Sequence, residues 1–150
     1  MKMPLLALTA LCALCASCGL PKDTEGTLER VRSAREIRVG LILGGPRGAL
    51  DPRARALLER VGRATGARPR LTGGDAEPLL ARLEEGELDL VVGRFTKTTP
   101  WATLVSLTPP LATEKQGKTE IILAAAMANG ENEWISLVER EARQLPGVEQ

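Results

Sequence analysis

The sequence predicts an α/β domain in three layers around a mostly parallel sheet. Short apolar runs of strand length alternate with segments whose apolar residues recur at helical spacing. Proline or glycine punctuates most of the junctions between them. The run Leu88 to Val92 is apolar at both parities apart from Asp89, the pattern of a strand buried on both faces.

The elements follow in order. Thr27 to Ala34 reads as a short helix with Thr27 as its cap and Leu28 and Val31 turned inward. Ile37 to Leu43 is the first strand, followed by a Gly44-Gly45-Pro46-Arg47-Gly48 loop. Asp51 caps a second helix with Pro52 in its first position, and Leu57, Leu58 and Val61 form its buried stripe. Arg68 to Thr72 is a short second strand. Asp75 then caps a third helix, whose first turn accepts Pro78 because the missing N–H had no partner there. Leu79, Leu80 and Leu83 make its apolar face, and Gly86 falls where a left-handed C-cap belongs.

After the strand at Leu88 to Val92 comes a polar loop, and then a strand from Val105 that meets Pro109-Pro110. Ala112 to Thr119 reads as polar and flexible. Glu120 to Met127 is a strand that adds to the same sheet. Glu131 to Gln144 is the last helix, with Trp134, Leu137 and Val138 as its buried face and Glu141 at the same spacing. Ligands of such sheets bind outside the carboxyl ends of the strands. The expected rim is therefore Gly44 to Arg47 after the first strand and Arg94 to Thr98 after the third.

The stretch from Asp75 to Leu111 resembles the first lobe of the family 3 periplasmic solute-binding proteins, the receptors of amino-acid-type ABC transporters. In that family a helix ending in L…L..G..D leads into a strand such as DLVIAGMTITPER, followed by VDFSDPY. Leu83, Gly86 and Asp89 to Val92 match the first part, Gly93 to Trp101 the second, and Val105 to Leu111 the third. The segment Leu123 to Glu141 is similar to the strand and helix that close the same lobe. The resemblance implies one lobe of a type II periplasmic-binding-protein fold. It also implies a non-catalytic role in uptake of a small solute, with Arg47, Arg94, Thr96, Thr98 and Trp101 around the ligand.

The chain departs from that family in two ways. Only a few residues separate Pro110 from the strand at Glu120, so the second lobe normally inserted there is absent. The resemblance also implies an arginine that grips a ligand carboxylate through paired bonds, and Trp101 stands in its place. Pro109 replaces the acidic residue of the DP element. An alternative role is thus a degenerate lobe, kept as a membrane-tethered interaction or sensory module without a small ligand. An apolar patch between Trp101 and Leu111 would favour a homodimer.

At the N-terminus, Lys2 precedes the apolar run Leu5 to Leu14, which is short for a membrane span. Ala16-Ser17-Cys18-Gly19 resembles a bacterial lipobox, although Cys15 occupies the position where leucine is usual. The expected organisation is a signal peptide over 1–17, a tether over 18–26 with lipidated Cys18, and the lobe over 27–150. The protein would then be anchored to a membrane in the periplasm or cell envelope, beside a permease or another envelope protein; an ordinary cleaved secretory signal would instead leave it soluble, secreted or periplasmic.

Cys12, Cys15 and Cys18 are the 3 cysteines, and all lie in or beside the leader, so no disulfide is expected. With 20 basic against 19 acidic residues, nothing argues for a nucleic-acid partner. The chain has no His and no Tyr, and Ser33, Ser106 and Ser136 have no histidine to activate them. Neither catalysis, a cofactor nor a metal is expected.

Overall fold

The structure, a computed structural model, describes residues 23–42, 50–96 and 100–148. The leader, Cys18, Arg47 and Thr98 lie outside the described residues. The elements run α1 (Thr27–Ala34), β1 (Glu36–Ile42), α2 (Pro52–Thr65), β2 (Arg68–Gly74), α3 (Ala76–Glu84) and β3 (Leu90–Thr96). A 3-10 turn (Pro100–Thr103), β4 (Val105–Leu107), β5 (Ala112–Gln116), β6 (Thr119–Ala128) and α4 (Asn132–Arg143) complete the order.

The strands form one six-stranded sheet in the order β2-β1-β3-β6, with β4 and β5 both against the far side of β6. β2, β1 and β3 are parallel to one another, joined by the helical crossovers that parallel pairing requires. β6 returns antiparallel to β3, from Val91 opposite Ala126 to Thr96 opposite Ile121. One face carries the larger core, where Leu28, Val31, Leu57, Val61, Trp134, Leu137 and Val138 meet Ile37, Val39, Leu90 and Val92. On the other face α3 packs Leu79, Leu80 and Leu83 against Val91, Phe95, Ile122 and Ala124. The three layers are therefore unequal, with α1, α2 and α4 on one side and α3 with the 3-10 turn on the other.

Several local expectations hold at the atomic level. Asp51 caps α2, its Oδ1 accepting the Arg53 N–H at 2.9 Å with Pro52 at the start of the helix. Gly86 follows α3 at φ 71°, the left-handed geometry that glycine adopts without penalty.

The ends of β3 and the polar stretch after Pro110 differ from the sequence reading. β3 begins at Leu90 and continues through Gly93, Arg94 and Phe95 to Thr96, where a loop was expected. Pairing with the long β6 supplies hydrogen-bond partners along this stretch, and Phe95 reaches the α3 core, so tertiary pairing overrides local polarity. Ala112 to Gln116 is likewise a strand, turned back into β6 through Gly117 at φ 62°.

Between β4 and β5, Thr108 N–H donates to the Ala125 carbonyl at 2.9 Å, and the Ala125 N–H donates to Thr108 Oγ1 at 3.1 Å. Leu111 N–H then reaches the Leu123 carbonyl at 2.8 Å. These bonds hold the segment around Pro109 and Pro110, neither of which has an N–H to donate, against β6. The place where a second lobe would leave the sheet is thus closed by a hairpin. The expected apolar patch there is reduced, since Val105 and Leu111 are buried and Leu104 is the large apolar side chain left exposed.

Thr27 is not the cap of α1. Gly26 holds that position, and the helix start is satisfied from a distance. The Glu131 carboxylate accepts the Glu25 N–H at 2.6 Å and the Thr27 N–H at 2.8 Å. Asp23 accepts the Leu28 N–H at 2.8 Å through Oδ2, while its Oδ1 accepts those of Glu133 and Trp134 at 2.6 and 3.0 Å. Two helix N-termini, each with orphan donors and a positive dipole end, thus share two carboxylates.

Burial resists ionisation of Glu131, but the N–H groups of Glu25 and Thr27 and the Thr27 side chain outweigh it and hold the carboxyl below its ordinary 4.5. A folded-state value below the unfolded one means stabilisation present above about pH 4.5 and lost as pH falls through the folded value. Glu131→Gln is expected to cost about 1–3 kcal/mol at neutral pH. Urea titrations should show its stability declining less than that of the parent as pH falls below that point.

Candidate functional site

The carboxyl ends of β1 and β3 open on one side of the sheet, together with the start of α2. On β3 the side chains alternate, so Val91, Gly93 and Phe95 face α3 while Arg94 and Thr96 follow Leu90 and Val92 on the α2 face. Gly93 is required for the close approach of β1. A Cβ there would stand 2.6 Å from the Cβ of Ile42, nearer than side-chain carbons pack.

Arg94 is the centre of the charge at this rim. Its Nη1 lies 2.7 Å from Oε2 of Glu114 on β5, and its Nη2 lies 3.8 Å from Oδ2 of Asp51 at the start of α2. The Glu114 hydrogen bond raises the pKa of the guanidinium above its ordinary value; burial opposes this, and the charges of Glu114 and Asp51 add to it. Arg94 is therefore a fixed cation whose side chain is one-third exposed, at 34 %. Thr96 ends β3 exposed to solvent. Arg94 and Thr96 are thus adjacent on one face, though on the strand itself rather than in a loop after it.

Trp101 is set apart from them. It lies in the 3-10 turn and packs, partly buried, against the α3-side core that includes Leu79, Phe95 and Val105. It covers that apolar edge, on the other face of the sheet from Arg94. Glu114 and Asp51 are the rim residues that sequence reasoning missed. Asp51 was legible only as a helix cap, and Glu114 lay in a stretch read as flexible. Among the described residues no group of His, Cys, Asp and Glu is arranged to hold a metal ion.

At the opposite, amino end of β3, Asp89 forms a second polar centre. Its carboxylate is buried, accepts the Arg38 N–H at 2.7 Å, and pairs with the guanidinium groups of Arg38 and Arg30. Trp134 Nε1 donates to the Asp89 carbonyl at 2.7 Å. This centre ties α1, β1, β3 and α4 together and lies away from the rim.

No family model and no curated protein sequence matches this chain. Solved structures do match it in shape. The arginine-bound form of domain 1 from TmArgBP, the ArgBP of T. maritima, superposes with a TM-score of 0.65 at 16 % identity, covering 77 % of this chain and 98 % of that one. The amino acid ABC transporter substrate-binding protein AbpA from Streptococcus pneumoniae, bound to L-arginine, gives 0.63 at 10 % identity over 78 % of this chain and 91 % of that one. The BvgS VFT2 domain of Bordetella pertussis gives 0.62 at 13 % identity, covering 84 % and 94 %. At these identities the likeness is one of architecture: the chain has the α/β fold of a single lobe of a periplasmic binding protein.

Proposed function

We infer that this protein is an extracytoplasmic, non-catalytic binding lobe, anchored through Cys18, that takes a small solute at the Arg94–Thr96 rim for ABC-type uptake. The observation that supports this reading most is the arginine-bound form of domain 1 from TmArgBP, a single lobe of the same fold that holds a ligand. Arg47 and Thr98, which follow β1 and β3 in the sequence, are further candidate ligand contacts in this reading. A permease or another envelope protein is the membrane-side partner, and a second copy facing the rim would supply the missing wall of the cleft.

Thermal unfolding of the protein against amino acids, polyamines, sugars and organic anions tests this. A solute at a hundred times its dissociation constant adds about 2.7 kcal/mol. If the solute carries a carboxylate, Glu114 competes with it for Arg94. Glu114→Gln should then tighten binding by up to about fivefold, the most an exposed pair of about 1 kcal/mol allows. Arg94→Ala should weaken it. The engagement of Arg94 by Glu114 and Asp51 favours the second reading, a tethered interaction or sensory module. No shift across the panel, together with capture of a protein partner, would overturn the first reading.

A further inference from the structure

The amino end of the sheet, opposite the rim, gathers arginines that the ion pairs described above leave unused. Arg32 lies in the last turn of α1, and Arg35 follows that helix. Arg63 lies in the last turn of α2, and Arg68 opens β2. Arg68 N–H donates to the Arg35 carbonyl at 3.0 Å, which brings the ends of α1 and β2 together. All four are exposed, and none has a carboxylate within ion-pairing distance among the described residues. Arg70 adds a fifth cation, joined to Glu36 at 3.5 Å.

Exposed Glu25 and Glu133 stand beside Asp23, at the β6 side of this end, while the four arginines gather at the β2 side. Asp89 is buried between Arg30 and Arg38. Glu29 accepts the Ser33 hydroxyl at 3.1 Å, and Glu59 is exposed one turn before Arg63 on α2. Glu84 ends α3 and Glu85 and Glu87 follow it, on the other face of the sheet, where Arg82 pairs with Glu87.

The described chain begins at this same end. Asp23 is bridged to Glu131, just beyond β6, where β6 runs alongside the start of β3. From there α1 spans the end of the sheet, its eight residues covering about 12 Å, and delivers Arg32 and Arg35 to the β2 edge. Cys18 precedes Asp23 by only five residues, a reach of at most about 18 Å. An anchor at Cys18 therefore holds this end, and no other, close to the bilayer surface.

We propose that Arg32, Arg35, Arg63 and Arg68 form a docking surface for anionic phospholipid headgroups. It orients the lobe with its β2 edge on the membrane and its carboxyl rim toward the aqueous phase. The orientation rests on the lipid-anchor reading of Cys18; the affinity of the arginines for anionic lipid does not. Guanidinium groups suit phosphate oxygens through their paired donors. Each basic residue near such a surface contributes about fivefold in affinity, the equivalent of about 1 kcal/mol.

The full chain carrying Cys18→Ala, which removes the acylated residue, should be sedimented with vesicles of phosphatidylcholine, alone or mixed with phosphatidylglycerol. The expected result is stronger binding to the mixed vesicles that weakens as salt rises. Combined Arg32→Gln, Arg35→Asn and Arg68→Gln should reduce that preference by about a hundredfold, three such factors together. Asparagine is chosen because Arg35 sits at φ 53°, which it tolerates. Arg53→Gln with Arg55→Gln, at the far end of the molecule, should leave the preference intact. Thermal unfolding of both variants checks that they fold.

Equal binding to both vesicle types, or equal loss from the two arginine sets, overturns the proposal. So does a preference that the triple substitution leaves unchanged. The anchor reading fails separately, if Cys18→Ala leaves membrane fractionation in cells unaltered.

Discussion

Asp89→Ala is expected to destabilise the protein by about 3–5 kcal/mol, the range for removing one partner of a buried charge pair. The aspartate side chain is 1 % exposed, whereas those of Arg38 and Arg30 are 25 % and 34 % exposed. The loss therefore falls mainly on the donors that point inward. The Arg38 N–H, bonded to Asp89 Oδ2, is left without its acceptor, and two guanidinium groups face each other with no anion between them. Urea unfolding should show the midpoint falling with little change in slope. Because Asp89 lies at the end of β3 remote from Arg94, any solute bound at the rim should keep its affinity while the protein remains folded. A change smaller than about 1 kcal/mol would show that water replaces the carboxylate without cost.

Trp134→Ala is expected to cost a further large amount, about 3–5 kcal/mol. Trp134 is fully buried in the larger core, where α4 meets the sheet. Truncation removes the indole and leaves a cavity, and the Asp89 carbonyl loses its donor. Trp134→Phe separates the two contributions. It keeps most of the apolar surface, so its cost should fall to about 1–3 kcal/mol, the range for an unsatisfied buried polar group. The Asp89 and Trp134 substitutions share one cluster, so a double-mutant cycle should give less than the sum of the two. Additive costs would mean that the cluster is two independent sites.

Much of the fold was legible where local chemistry and packing agree. The Asp51-Pro52 start of α2, the Leu79, Leu80 and Leu83 stripe of α3, the left-handed Gly86 and the Trp134 face of α4 are short-range signals. In each, a cap, a period or a backbone conformation is encoded within a few residues. The carboxyl half of β3 and the whole of β5 were not legible. Arg94, Glu114 and Lys115 are polar, and these segments become strands because β6 lies beside them.

The candidate site was half legible for the same reason. Arg94 and Thr96 were identifiable from their place after an apolar strand run. Their partners Glu114 and Asp51 lie twenty and forty-three residues away in sequence, so no local signal connects them. Trp101 was named as a ligand contact through the family resemblance alone. It is partly buried against the core cluster on the α3 side of the sheet.

The sequence by itself determined the α/β architecture, the absence of histidine and tyrosine from any mechanism, and the cysteines clustered near Cys18. Those properties depend on composition and on periodicities of two and 3.6 residues. The tertiary structure decided the rest. It made a β5–β6 hairpin of the polar stretch after Pro110, placed Glu114 on Arg94, shared Asp23 and Glu131 between two helix starts, and gathered four arginines at the amino end of the sheet. Each of these is a contact between segments distant in the chain, formed only once the cores have brought those segments within hydrogen-bonding or Coulombic range.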